Sequence, residues 1–531
     1  MPEYLHPGVY IEEVATRPKN IEGVSTSTAG FVGQTERGTT SPRLVTSWHD
    51  FESWFGGIVE PDVSYLPFAV RGFFDNGGQR LYIARVTRDD AGTSSLSQAT
   101  SDPRQGLIIS ANGPGAFGDG IFVRIQDGTR SGIRITFLFY QTVPTLLVDP
   151  TDAAMIGDPN RREPDAIEDY DDLCDQPTDP DYFLSRINSS SRLVSLAWSR
   201  PDLSAAQPDD LVFTSLAGGG NGSNPMTAAR FCGDPNVPVE QREGLAGLAD
   251  IDEISILSIP DEVNTLLIPN VADRDGVRDA MIDQCEQLQD RFSVLNVPGN
   301  SSDIGQIKPP RDSSYAATYY PWVRVLDPRT NDTLLVPPSG HVTGIYARTD
   351  IERGVHKAPG NEVLHGTVQD DIDATRRPLE FSITNREHEL LNPRGINVIR
   401  DLRSDRRGVR VMGARTMSSD LQLRYVNVRR LLVFIEESIK QSTQWVVFEP
   451  NDESLWARVR QSIRNFLSSL WRSGALQGDI GEKAFFVRCD MSTMTQADVD
   501  RGRLICEIGV APVKPAEFVI IRIGRMTATA S

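Results

Sequence analysis

The run GGGNGS at 218–223 has the glycine density of a loop that cradles phosphate. Such loops place a Lys-Ser/Thr pair directly after the last glycine, to meet phosphate charge and hold its metal. That pair is missing here, so the run reads as a turn. His356 and His365 stand nine residues apart in HKAPGNEVLH, which is no recurrent ligand spacing, and no H-E-x-x-H occurs. The acidic pairs Asp171-Asp172 and Asp370-Asp371 lack the turn glycine and closing glutamate of a calcium loop. They read as solvated loops. There is no G-x-S-x-G and no Cys–His signature. Cys174, Cys232, Cys285, Cys489 and Cys506 are odd in number, dispersed and without C-x-x-C. Neither a disulfide framework nor a zinc site is expected, and reduced thiols are the simple reading. No metal, cofactor or catalytic residue is therefore assigned. An acidic α/β hydrolase or transferase with dispersed catalytic residues remains an alternative, as does a lectin-like binding module.

The net charge of −18 excludes a general nucleic-acid binder, which needs a positive footprint. The charge is uneven. Residues 391–531 carry 22 Lys+Arg against 15 Asp+Glu, or +7, leaving −25 for residues 1–390. A basic block on an acidic chain implies that this part meets an acidic surface. No run of 18 apolar residues occurs, so no membrane-spanning helix is expected. MPEYLHPGVYIEEV has acids and a proline where a cleaved secretion signal has basic and then apolar residues.

The length of 531 residues, at about 150 per domain, suggests three or four domains to position these groups. Residues 1–20 form an arm around PGVYIEEV, strand-like but too short to fold alone. Residues 21–99 alternate strand and helix: TAGFVGQT, SWHDFESWFGG, YLPFAVRGFFDNGG and RLYIARV. Residues 100–240 are rich in Asp, Pro, Ser and Gly with scattered strands (GIFVRI, IRITFLFY), and read as an inserted β-rich domain. The α/β pattern returns over 241–390 with DEISILSIP, a helix through VRDAMIDQCEQLQDRF, and FSVLNVP. The last domain, 391–531, is α+β, with helices over 424–440 and 453–472. In the second helix Trp456, Val459, Ile463, Phe466, Leu467 and Leu470 keep i, i+3/i+4 spacing. AFFVRC, LICEIGV and EFVIIRI follow as strands. The last of these, Phe518, Val519, Ile520, Ile521, Arg522 and Ile523, is followed only by a short polar tail and must find a sheet to join.

Several blocks carry a family resemblance. HPGVYIEEVATRPKNIEGVSTSTAGFVGQTERG resembles the N-terminus of contractile tail sheath proteins. NGGQRLYIARV, GPGAFGDGIFVRI, RFSVLNVPG, YAATYYPWVRVLDP and VPPSGHVTGIYARTDIERGVHKAPGNE follow in the family's order. So do LNPRGINVIR, GARTMSSDLQLRYVNVRRLLVFIEESI, QWVVFEPNDESLWARV, GALQGDIGEKAFFVRCD and IGVAPVKPAEFVIIRI. The family covers sheaths of phage tails, R-type bacteriocins and phage-tail-like injection systems.

The resemblance implies a structural subunit with no enzymatic role. It implies a helical homopolymer of stacked hexameric rings, assembled in the bacterial cytoplasm around an inner tube protein, with baseplate and terminator proteins at its ends. No nucleic acid and no direct membrane insertion enter this picture. The C-terminal sheet would be completed by neighbours' strands, Val9, Tyr10, Ile11, Glu12, Glu13 and Val14 of the arm and 518–523 of the terminus. The basic block would face the tube, with Arg403, Arg406, Arg407, Arg410, Arg429 and Arg430 as candidate contacts. The insertion would lie outside. Contraction would release an extended form held as a kinetic trap.

Overall fold

All six residues of the strand Thr28–Gly33 are buried, the pattern of a parallel strand covered by helices on both faces. The computed structural model describes residues 21–368 and 377–518 and divides the chain into two units, Ser25–Arg429 and the remainder. The arm strand 9–14, Asp370-Asp371 and residues 519–523 lie outside the described residues.

In the larger unit, Thr28–Gly33 sits inside a nine-stranded sheet. Its neighbours are the parallel strands Arg80–Arg85 and Ile256–Ser258, and beyond the latter run Phe292–Asn296, Ala316–Tyr320 and Ile396–Asp401, also parallel. Short antiparallel strands finish both sides: Arg43–Val45 at one, Val409–Val411 and then Glu362–Val363 at the other. Numbered along the chain, the parallel strands run 2-1-3-4-5-6, so the order reverses between Thr28–Gly33 and Ile256–Ser258.

Helices cover the two faces. Trp48–Phe55, Leu66–Asp75 and Ser339–Arg353 bury Phe51, Phe55, Phe68, Phe73, Ile345 and Tyr346 on one. Ala228–Cys232, Gly244–Ala249 and Val271–Leu288 bury Phe231, Leu248, Val277, Met281 and Ile282 on the other. Ser47 caps the first helix by accepting from the Asp50 amide, and Gly56 ends it at φ 85°. Val271–Leu288 begins six residues earlier than the apolar pattern indicates, because Asn270 caps a first turn that is polar and exposed. The motif SGHVTGIY has a packing reason. A Cβ on Gly340 would stand 2.4 Å from the Ala69 backbone, and one on Gly344 2.4 Å from the Phe73 carbonyl oxygen. Only hydrogen at both positions lets helices 339–353 and 66–75 pack this closely.

Between Arg80–Arg85 and the strand Ile256–Ser258 the chain builds two small antiparallel sheets. One is Ser95–Ala99, Gly106–Ala111 and Val194–Trp198; the other is Leu211–Ser215, Ile121–Asp127, Ile133–Phe139 and Ala166–Leu173. They share a core that includes Ile109, Val123, Phe137, Phe139, Phe183 and Leu196. Both edges of this β-rich segment differ from the 100–240 reading. Ser95–Ala99 pairs within it, whereas Met226 and Phe231 already belong to the α/β core. The composition near 226–240 is loop-like, but its two large apolar residues are claimed by helix 271–288 and its neighbours.

The 390/391 division also moves. Ile396–Asp401 and Val409–Val411 lie in the large sheet, and the division falls at Arg429/Arg430, inside the helix Val426–Ser442. The smaller unit contains the remainder of that helix, the amphipathic helix Glu453–Arg472 and a two-stranded antiparallel sheet, Phe485–Arg488 with Glu507–Val510. Asp452 caps Glu453–Arg472 by accepting from the Leu455 amide, and Leu455, Trp456, Val459, Ile463, Phe466 and Leu467 are its buried stripe.

Candidate functional site: an assembly surface

In an open parallel sheet the usual ligand site is the crevice beyond the carboxyl ends of the strands, where strand order reverses. Here that position holds two fully buried acids, Asp261 and Glu262. Asp261 accepts from the Ser64 hydroxyl, the Tyr65 amide (2.7 Å) and the Asn264 side chain (3.2 Å). Glu262 accepts from the Asn296 amide (2.6 Å) and from Arg278 Nε (3.1 Å), while Asn296 also donates to Ser339 Oγ (3.1 Å). Burial raises Asp261 to about 6 and Glu262 to about 7. Raised carboxylates often mark acid–base sites. These have no solvent exposure, and their oxygens are engaged by protein donors. They tie the 64–65 segment, the second turn of helix 271–288 and, through Asn296, the start of helix 339–353 to the strand ends. The signal in the sequence was SIPDEVN, two acids directly after a buried strand.

The earlier candidates for chemistry are also structural. Asn221 of the glycine run accepts from the Ala116 amide at 2.9 Å. Asp172 accepts from the Arg130 amide at 2.8 Å and caps a turn. His365 is exposed, and no cluster of three or more metal-ligating residues occurs among the described residues.

The small sheet of the second unit is different. Among the described residues no third strand pairs with either Phe485–Arg488 or Glu507–Val510, so both edges present free backbone groups. One face rests on helix 453–472 through Val487, which is buried, whereas Phe486 faces outward at 47% exposure. The chain is clamped beyond the strand by Gln477 donating to the Ala511 carbonyl (2.7 Å) and Ala511 to that of Ala484 (2.8 Å). It then reaches Phe518, which is 73% exposed. The root of the N-terminal arm is held in the same unit. The Glu22 and Val24 amides donate to Ser442 Oγ (3.2 Å) and Ser438 Oγ (3.1 Å).

The six arginines do not form one group. Arg403, Arg406 and Arg407 lie on the turn between Ile396–Asp401 and Val409–Val411, and Arg410 in the second strand opposite Arg400, all in the larger unit. Arg403 pairs with Asp401 at 2.9 Å. Arg407 donates to Asn361 Oδ1 at 2.8 Å and Arg410 to the Asn361 carbonyl, so neither meets a carboxylate among the described residues. Arg406 is exposed with φ 58°. Arg429 and Arg430 are only 7% and 4% exposed. Arg429 donates to the Tyr315 hydroxyl at 2.6 Å with its guanidinium 4.1 Å above that ring. Neither is a surface contact in this chain. Both stand at i+3 and i+4 from buried Val426, a phase that assigns them to the packed face. The basic excess moves with the division: residues 391–429 hold nine arginines against three acids, or +6, and 430–531 only +1.

Two family models match in tandem and together cover more than half of the chain. The phage tail sheath protein central domain matches residues 249–417, and the phage tail sheath C-terminal domain matches 418–524. The chain belongs to the phage tail sheath family.

A sheath relative, a prophage major tail sheath protein of Pseudomonas aeruginosa (strain UCBPP-PA14), is 27% identical over 257 residues, 48% of this chain and 62% of that protein. The tail sheath protein of Burkholderia phage BcepMu is 32% identical over 172 residues, 32% of this chain and 34% of that protein. The chain thus spans about three fifths and one third of the lengths of these curated relatives. Solved sheath structures align over nearly its full length. The anti-feeding prophage helical sheath in its contracted state matches with TM-score 0.57 and 26% identity, covering 98% of this chain and 99% of that one. The sheath complex of the extracellular contractile injection system PVC, also contracted, has the same fold, with TM-score 0.56 at 22% identity over 99% of both chains. No helix among the described residues is long and apolar enough to cross a membrane.

Proposed function

We propose that this chain is the structural subunit of a contractile sheath in a phage tail or tail-like particle, polymerising around a rigid inner tube and shortening to drive it through a target envelope. The observation that carries the reading is the likeness, over 98% of the chain, to a solved contractile sheath subunit. The geometry supplies a means. A two-stranded sheet is marginal alone, and each free edge accepts a strand by backbone pairing. The arm strand 9–14 of one subunit and the terminal strand 518–523 of another would fill these edges, and the segments linking them to the rest of the chain would act as hinges that let subunits rotate while staying joined. The turn 402–408 and the strand start beyond it, with Arg406, Arg407 and Arg410 meeting no carboxylate among the described residues, would meet an acidic surface such as the tube. Baseplate and terminator proteins would hold the ends. Negative-stain microscopy of the purified protein tests the reading directly. Ring-stacked tubes are expected, and a discrete small oligomer at all concentrations would rule it out.

A further inference from the structure

Phe485–Arg488 and Glu507–Val510 pair in the order Phe485 with Val510, Phe486 with Gly509, Val487 with Ile508 and Arg488 with Glu507. Extending that register by one step beyond the last paired residues sets Cys489 opposite Cys506. The two are 17 positions apart in sequence and unremarkable there, but the sheet makes them a cross-strand pair. Directly opposed residues in antiparallel strands have Cα atoms about 4.5–5.5 Å apart, inside the range of about 4.4–6.8 Å that a disulfide spans. The loop joining them is held closed by an independent contact, Thr493 Oγ1 donating to the Ile505 carbonyl at 2.8 Å. Helix 453–472 brings a cation to the pair. Arg460 Nη1 donates to the Cys489 carbonyl at 3.1 Å and lies 3.7 Å from Asp490. Cys489 is fully buried and Cys506 half-buried, and both are free thiols here.

We propose that Cys489 and Cys506 are a disulfide-forming site, closing to a covalent staple across the end of the two-stranded sheet whenever the chain meets a disulfide oxidant.

The Cys506 thiol donates to the Cys489 sulfur, which holds Cys489 below the ordinary thiol range and pushes Cys506 up. The two sulfurs are thus in contact with one another, and the adjacent Arg460 favours the negative charge of an attacking thiolate. The chemistry is two exchanges. One cysteine sulfur attacks a low-molecular-weight disulfide, forming a mixed disulfide and releasing one thiol. The second cysteine loses its proton to solvent, attacks the mixed disulfide at the protein sulfur and releases a second thiol. The protein loses two hydrogens and one external disulfide becomes two thiols. Reducing conditions keep the site open and oxidising ones close it. The value of the staple to assembly rests on the sheath reading, since it would fix the edges that neighbouring strands pair with. The bond itself does not.

The test is equilibration of the full chain with glutathione disulfide, followed by intact-mass measurement and peptide mapping after maleimide capping in denaturant, which exposes the buried thiols. The expected result is the loss of two hydrogens, a fall in cappable thiols from five to three, and a linked peptide joining Cys489 to Cys506. Melting of the oxidised chain should rise by several degrees and fall back with dithiothreitol, and Cys506→Val should abolish both the mass change and the shift. A persistent glutathione adduct on Cys506, a link through another cysteine, or five thiols still capped after oxidation would overturn the proposal. Tube formation is scored separately, so failure of the sheath reading leaves this result interpretable.

Discussion

The nine-stranded sheet and the small sheet of Phe485–Arg488 with Glu507–Val510 are finished in opposite ways. The nine-stranded sheet has six parallel strands covered on both faces, and each side ends in a strand of two or three residues, too short to template another chain. The sheet of Phe485–Arg488 and Glu507–Val510 has one covered face and, among the described residues, two free edges. The difference is one of self-sufficiency. The nine-stranded sheet closes itself with the chain's own short strands, whereas the small sheet has a size that is marginal without more strands. A chain that must fold alone and then join others can keep these tasks in separate sheets.

The most severe way to break the comparison is to remove the strands proposed to complete the small sheet. Truncation after Pro515, or deletion of residues 1–17, should abolish tubes while the monomer keeps its helix content and a cooperative melt. Each donated strand offers only about six backbone hydrogen bonds worth roughly 0.5–1.5 kcal/mol apiece, so repetition around the tube supplies the stability. Unfolding of the truncated monomer would mean that these strands belong to their own subunit's core.

The self-sufficient sheet should instead fail from within. Gly344→Leu would place a side chain against the Phe73 backbone, where even a Cβ stands at 2.4 Å. The expected cost is about 3 kcal/mol or more in urea denaturation. A variant as stable as the parent would show that helices 66–75 and 339–353 can separate freely.

A third measurement probes the buried acids. Glu262 is raised from 4.5 to about 7 in the folded chain, so the folded state holds the proton more tightly than the unfolded one. Its contribution is complete below about pH 4.5 and is lost as pH rises toward 7, by roughly 3 kcal/mol. Asp261, raised from 3.8 to about 6, acts in the same direction over a lower window. Buried His341, lowered from 6.5 to about 4, opposes them, because its contribution is lost as pH falls through that interval. Glu262→Gln should therefore flatten the decline in stability between pH 5 and 7, and an unchanged profile would remove Glu262 as its source.

The smallest effect on folding is expected at the arginine turn. Reversing Arg406, Arg407 and Arg410 to glutamate should change stability by only about 0.5 kcal/mol. It should weaken association with an acidic tube surface and reduce the salt dependence of that association. Binding insensitive to both salt and reversal would place the tube contact elsewhere.

The sequence alone determined what depends on neighbours along the chain. The stripe of helix 453–472 and the buried strands TAGFVG and FSVLN are local signals, and each forms where the pattern places it. The resemblance blocks reached the family the same way, since their order is a property of the chain. Tertiary structure alone decided which segments meet. Ile396–Asp401 looks like any other short apolar strand until it pairs with Ala316–Tyr320, and that pairing moves both the division and the basic excess into the larger unit. Arg429 and Arg430 read as a surface dyad until Tyr315, 114 residues before Arg429, supplies a ring and a hydroxyl for the first of them. Asp261 and Glu262 could be counted in the sequence, but not the donors at Ser64, Asn296 and Arg278 that engage them. Cys489 and Cys506 were dispersed thiols until strand register set them opposite one another. Caps and periodicity act over a few residues of backbone, whereas burial, charge pairing and register are fixed by contacts between segments that the chain brings together only on folding.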